Sequence, residues 1–162
     1  MTTIYIVYIL YVVCKIKDFI LSYSLAFSKA VIMILFAADK IKQGQYEFVP
    51  TKIISGALNI PNPTAVKIIH GLSRAGIIET REGAKGGIRL AREPSAITVL
   101  DVFEAIELNR PLFRNDFNIN VKGAKPTLSQ QSISLIFANA EDKMKTELKK
   151  VTIEKLIKEI NQ

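Results

Sequence analysis

The sequence predicts a mainly α-helical fold with one small β-hairpin and a long C-terminal helix. Three observations predict it. Residues 61–76 read as a helix opened by prolines and closed by a glycine. Residues 77–90 read as two short strands around a glycine-rich turn. Beyond residue 127, apolar residues recur at steps of four and three over a long stretch.

Each element follows from local pattern. Residues 24–41 predict a first helix, with Leu25, Val31, Ile32, Leu35, Phe36 and Ala38 apolar against polar Ser28, Lys29 and Asp39. So wide a stripe predicts a mostly buried helix, and Gly44 ends it. Phe48 and Val49 form a short extended piece. Pro50 and Thr51 open a second helix, with Thr51 as an N-cap candidate. Its expected apolar face is Ile53, Ile54, Ala57 and Leu58, with Lys52 and Ser55 pointing outward. After a tight connection at 59–61, Asn62 or its neighbour caps a third helix, and Pro63 suits its first turn. Val66, Ile69 and Leu72 are its expected inward face. Lys67, His70 and Arg74 fall on other faces, and Gly76 suits a C-terminal cap.

Residues 77–81 and 88–90 alternate enough to pair as strands around Gly83 to Gly87. Pro94 then breaks the chain, and Ser95 or Thr98 starts a helix through Val99, Leu100, Val102, Phe103 and Ile106. Its carboxylates Asp101, Glu104 and Glu107 predict an acidic face. Residues 109–125, rich in Asn, Pro and Gly, read as a long loop. The long helix is expected from about Thr127, with a narrow seam of Ile133, Phe137, Ala140, Met144, Leu148 and Val151, the pattern of a helix packing against another helix. Thr152 caps a final short helix.

The 162 residues, 49% of them hydrophobic, suffice for a core, and the net charge is +7. The excess is local. Residues 50–92 hold Lys52, Lys67, Arg74, Arg81, Lys85, Arg89 and Arg92 against only Glu79 and Glu82, whereas residues 93–162 balance to zero. A local basic excess attracts polyanions and favours counterion release. The single cysteine, Cys14, forms no internal disulfide and points to a reducing cytoplasm. The single histidine, His70, has no companion at metal-ligand spacing and reads as a spacer in its helix rather than a sensor. No metal, cofactor or catalytic constellation is expected, so an enzyme is not the reading.

The segment from Ile4 to Val13 is an unbroken apolar run, short of the roughly 20 residues a membrane helix needs. It lacks the flanks of a signal peptide. It is an extra strand, a membrane-touching segment, or sequence upstream of the true start; the last, or a loosely packed extension, is the favoured reading. The expected organisation is therefore an extension at 1–23, a DNA-binding unit at 24–107, a loop at 108–126 and a helical arm at 127–162.

A helix followed directly by a basic, glycine-rich hairpin is the layout of a winged helix-turn-helix, in which the helix enters the major groove of DNA and the hairpin tracks the backbone. The residues that carry a family resemblance are Ile60-Pro61-Asn62-Pro63 with Val66-Lys67-Ile68-Ile69, then Leu72-Ser73-Arg74-Ala75-Gly76-Ile77-Ile78. They continue with Gly83-Ala84-Lys85-Gly86-Gly87-Ile88-Arg89-Leu90-Ala91, residues 97–107 and residues 148–156. Over about residues 24–158 the chain resembles the bacterial winged-helix regulators that include IscR, NsrR and CymR. The resemblance implies a DNA-binding transcriptional regulator. Members that bind an iron–sulfur cluster carry three cysteines before the long helix; residues 108–130 have none, so a cluster-free member is implied. Where many members place Arg just before the first wing glycine, this chain has Glu82, preceded by Arg81. Members also begin close to the first helix, which sets residues 1–23 apart.

The expected DNA contacts are Asn62, Pro63, Thr64 and Lys67 on the third helix, and Arg81, Lys85, Gly86, Gly87 and Arg89 on the wing. Ser28, Lys29 and Thr51 are expected phosphate contacts at helix starts. Asn pairs with adenine, Thr donates or accepts, and Ala65 or the Thr64 methyl suits a thymine methyl. Glycines at the wing admit close backbone approach. Ile133, Phe137, Ala140, Met144 and Leu148 are the expected dimer seam. The reading is a cytoplasmic homodimeric repressor on a palindromic operator in double-stranded DNA, without a membrane, its effector unread. The rival is a winged-helix protein-interaction module, membrane-associated through residues 4–13.

Overall fold

A computed structural model describes residues 25–83, 85–107, 112–113 and 123–160. The readings made for residues 1–24, and for most of the loop at 108–122, lie outside the described residues. Helix α1 runs over 25–42, and Gly44 at φ +70° turns the chain after it. Its inward residues are Ala30, Met33, Ile34 and Ala37, all at 0% exposure. Leu25 and Ile32, expected inside, are exposed.

Helix α2 (Thr51–Ala57) and helix α3 (Asn62–Arg74) form the helix-turn-helix, with left-handed Asn59 (φ 50°) in the connection. Two expectations about α2 are corrected. Pro50, not Thr51, is its N-cap, and no side chain caps it. Only Ile54 of α2 is fully buried; Ile53 and Ala57 are exposed. Ile53 and Ala57, four residues apart, share the face turned to solvent, while Ile54 and Leu58 share the inward one. On α3 the inward set is Ala65, Ile68, Ile69, Gly71 and Leu72. Val66, expected inside, is 40% exposed. Pro61 is the N-cap of α3, while Asn62 sits in its first turn and accepts a hydrogen bond from the Ser55 hydroxyl at 3.3 Å.

Helix α3 stops as its sequence predicts. Gly76 takes φ +65°; its N–H donates to the Ser73 carbonyl, and that of Ile77 to Leu72, both at 3.0 Å. This pair of bonds, with buried Leu72 and Ile77 adjacent, is a Schellman stop. The chain leaves directly into strand β1 (Ile78–Arg81), which pairs antiparallel with β2 (Gly87–Leu90) in the register Ile78–Leu90, Glu79–Arg89, Thr80–Ile88 and Arg81–Gly87. Ile78 and Ile88 face the core. Val49 joins β2 from the other side through two backbone bonds with Ile88, of 2.8 and 3.0 Å.

A short 3-10 turn (Pro94–Ala96) leads to helix α4 (Val99–Glu107). Thr98 is its cap: the Asp101 N–H donates to the Thr98 hydroxyl at 3.1 Å, and the Thr98 N–H to the Asp101 carboxylate at 2.8 Å. Such caps contribute about 1 kcal/mol. The acidic face expected on α4 is therefore divided. Asp101 is engaged in capping, and Glu107 turns inward at 4% exposure.

Helix α5 (Ala124–Lys149) starts inside the stretch read as loop. Pro126 looks like a breaker in sequence, but in a first turn its missing N–H leaves no intrahelical bond unmade. Helix α6 (Ile153–Ile160) is capped by Thr152, whose hydroxyl accepts from the Lys155 N–H at 3.2 Å. The two capping threonines lie side by side: Val99 N–H donates to the Val151 carbonyl (2.8 Å) and Ile153 N–H to that of Ile97 (2.9 Å). With Ile97 and Ile153 fully buried, this bridge fastens the C-terminal arm to the first unit.

Gly87 decides whether the wing seats. A Cβ there would stand 2.2 Å from the Val49 carbonyl oxygen, and its φ is +149°. A Cβ on Gly76 would meet nothing, so Gly76→Ala costs only the left-handed conformation, roughly 1–2 kcal/mol. Gly87→Ala carries a backbone collision besides, and in urea unfolding it should lose more stability than Gly76→Ala. An equal or smaller loss would contradict this seating.

Candidate nucleic-acid interface

The exposed side of α3 presents Asn62, Pro63, Val66, Lys67, His70 and Arg74. These positions recur at helical spacing opposite the buried set, so one face of the helix is fixed in the core and the other is left to solvent. That face carries three bases and no carboxylate. Thr64 is half-buried beside it, whereas Ala65 is fully buried and out of reach of any base. Val66 takes over as the exposed methyl-bearing residue.

An open cleft separates α3 from the wing. Thr51, Val66, His70 and Ser73 line one side of it, and Arg81 and Gly87 the other. His70, read from sequence as a spacer, is exposed in this cleft. Lys85 is exposed at the wing tip, and Lys52 and Lys67 are exposed on α2 and α3. None of these three lysines has an ion-pair partner among the described residues.

The other expected contacts are arranged differently. Gly86 and Gly87 are required by the protein's own backbone: a Cβ on Gly86 would lie 2.2 Å from the Arg81 carbonyl oxygen, and one on Gly87 equally near that of Val49. This internal packing stands beside the close approach of DNA expected from the sequence. Ser28 and Lys29 lie near the start of α1, and the Ser28 hydroxyl donates to the Leu25 carbonyl at 3.2 Å. Thr51 occupies the first helical position of α2 and lines the cleft.

Arg81 and Arg89 are engaged within the chain. Both guanidinium groups lie over the ring of Phe48, at 4.2 and 4.6 Å from its centroid. Arg81 donates to both carboxylate oxygens of Glu47, at 3.0 and 2.9 Å. Arg89 binds Glu79 directly across the hairpin and reaches Glu47 at 3.7 Å. The hydrogen bonds from Arg81 hold the Glu47 carboxyl below its ordinary range against some desolvation, with the charges of both arginines adding to the effect. The Glu79 hydrogen bond raises Arg89 further above its usual value. Glu47 and Phe48 are the members of this surface that sequence reasoning missed. The alternation of 77–81 and the position of Phe48 beside an extended pair were the only signals available.

The expected dimer seam lies on α5, which has no fully buried residue. Phe137 stacks on Phe113 at 4.9 Å, Met144 and Leu148 are half-buried, and Ile133 and Ala140 are exposed. Glu141 accepts from the Leu112 N–H at 3.1 Å and pairs with Lys145 at 2.9 Å. No helix among the described residues is long and apolar enough to cross a membrane.

Residues 25–159 match the family described as "Rrf2: Iron-dependent Transcriptional regulator". Among relatives, the chain is 34% identical over 70 residues to the HTH-type transcriptional regulator NsrR of Shouchella clausii, covering 43% of this chain and 47% of that protein. The chain spans about half the length of the curated relatives it matches. Two solved structures share the fold. One is IscR of T. potens, with a TM-score of 0.60 at 21% identity, covering 83% of this chain and 85% of that one. The other is CymR of B. subtilis, the global cysteine regulator, with a TM-score of 0.55 at 24% identity, covering 82% and 92%. At such identities these two show the fold alone. Iron enters the family's description, but the residues here do not fit an iron centre. Iron–sulfur clusters are held by several thiolates. This sequence has one cysteine and one histidine, and no group of His, Cys, Asp and Glu among the described residues could hold a metal.

Proposed function

This chain belongs to the Rrf2 family of transcriptional regulators, and on that footing we propose that it is a cytoplasmic repressor that binds a palindromic operator as a homodimer. The observation that carries the reading is the exposed face of α3, basic and without a carboxylate of its own, beside a cleft whose wing side is lined by Arg81 and Glu82. The first turn of a recognition helix lies against base edges. Asn62 and Thr64 are there to read bases, and Lys52, Lys67 and Lys85 to neutralise phosphates on either side. An exposed cation costs nothing to redirect, whereas a paired one must first lose its partner, so the three unpaired lysines are the first phosphate contacts. A palindrome needs two such heads about 34–36 Å apart. Helix α5, 26 residues and therefore about 39 Å long, has the length for that task.

Thr64→Ala should lower the preference for operator over scrambled DNA in fluorescence anisotropy. Lys85→Ala should weaken both duplexes alike and flatten the salt dependence by about one in slope. An unchanged affinity and slope in Lys85→Ala would remove the wing from the interface. For the seam, Phe137→Glu with Met144→Glu should yield monomers in light scattering; a dimer that persists would place the subunit contact elsewhere.

A further inference from the structure

Arg81 and Arg89 converge on one carboxylate, that of Glu47. The floor beneath the two arginines is the Phe48 ring, only 5% exposed. The ring is held in place because the next residue, Val49, is hydrogen-bonded to Ile88. Cation–π contact with that ring, at 4.2 and 4.6 Å from its centroid, holds both guanidinium groups in place before any ligand arrives. The two-pronged contact from Arg81 to Glu47 is the same geometry that guanidinium groups use for a phosphate. Glu47 and both arginines are well exposed at the edge where they meet, and Arg81 also lines the cleft facing α3. The site thus borders the surface proposed for DNA.

Charge sets what the site accepts. Two guanidiniums face two carboxylates, Glu47 and Glu79, and Glu79 remains bound to Arg89 across the hairpin. Removing Glu47 alone leaves one positive charge uncompensated, which one phosphodiester balances. Exposed ion pairs are weak, and neutralising a DNA phosphate releases a condensed counterion, so the exchange is readily reversed.

We propose that Glu47 is an internal competitor for a DNA phosphate, occupying the Arg81–Arg89 site in the free protein and displaced from it on the duplex. This rests on the DNA-binding reading above. It gives Glu47 the function of restraining sequence-independent affinity. A regulator whose wing arginines are masked until bases are properly engaged spends less time on random DNA.

The test compares the full chain with Glu47→Gln, which keeps the shape and removes the charge. On a labelled scrambled duplex, Glu47→Gln should bind roughly three- to fivefold tighter, the scale of one exposed ion pair. Its salt dependence should steepen by about one in slope. In the unsubstituted chain, the side-chain carboxyl ¹³C signal of Glu47 should move toward its position in Arg81→Gln, where the partner is missing, on adding a duplex from its own upstream region, and should stay put on the scrambled duplex. If Glu47→Gln binds scrambled DNA no more tightly, or if the Glu47 signal stays put in the complex with the upstream duplex, the competitor role is overturned while DNA binding stands. If the unsubstituted chain binds no duplex even at low salt, both readings fall.

Discussion

The close contact between the backbone at Val49 and Pro50 and the second wing strand is what the interface depends on. Two hydrogen bonds between Val49 and Ile88 make it, and the missing Cβ of Gly87 permits it. Three things are fixed at this one place. Strand β2 is held against the core through Ile88. Helix α2 starts from Pro50 at the next residue. Phe48, one residue earlier, is laid under Arg81 and Arg89. Wing, helix-turn-helix and arginine site therefore share one anchor, and a shift of that anchor would move them together.

A second junction orders the rest. The paired caps of α4 and α6, with Thr98 beside Thr152, satisfy helix-start N–H groups that would otherwise be unpaired and tie residues far apart in sequence. Because α5 runs between these two helices, its C-terminal end is held by the bridge, while its N-terminal half leaves Leu128, Leu135 and Ile136 exposed. The arm is thus firmly attached at one end and apolar toward solvent at the other, which suits a helix that meets a second copy.

Much of this was legible in the sequence wherever a rule is local. The glycine stop at Gly76, the pairing of 77–81 with 88–90 and a helix start at Ser95 or Thr98 all depend on residues close together in sequence. The inward faces of short helices were less legible. Ile53 and Val66 sit on helices whose orientation is set by tertiary contacts, and an apolar residue carries no label saying which way it turns. The wing glycines were legible as glycines but not for their reason, since the backbone that approaches Gly87 comes from Val49, outside the hairpin. Glu47 was missed, and with it the role of Phe48, because its partner Arg81 lies 34 residues away. No periodicity spans that distance. Helix α5 starts at Ala124, three residues before the expected Thr127, because Pro126 is accommodated in its first turn.

The central claim is that α3 and the wing form one DNA surface anchored at Val49. Its most direct test is a ¹H–¹⁵N titration of the full chain with a duplex from its own upstream region. The account predicts shifts confined to the first turns of α2 and α3, the exposed side of α3, Lys85 and residues 47–49, with α6 unmoved. Shifts centred on α6 or on the exposed side of α5, with α3 and the wing silent, would contradict it.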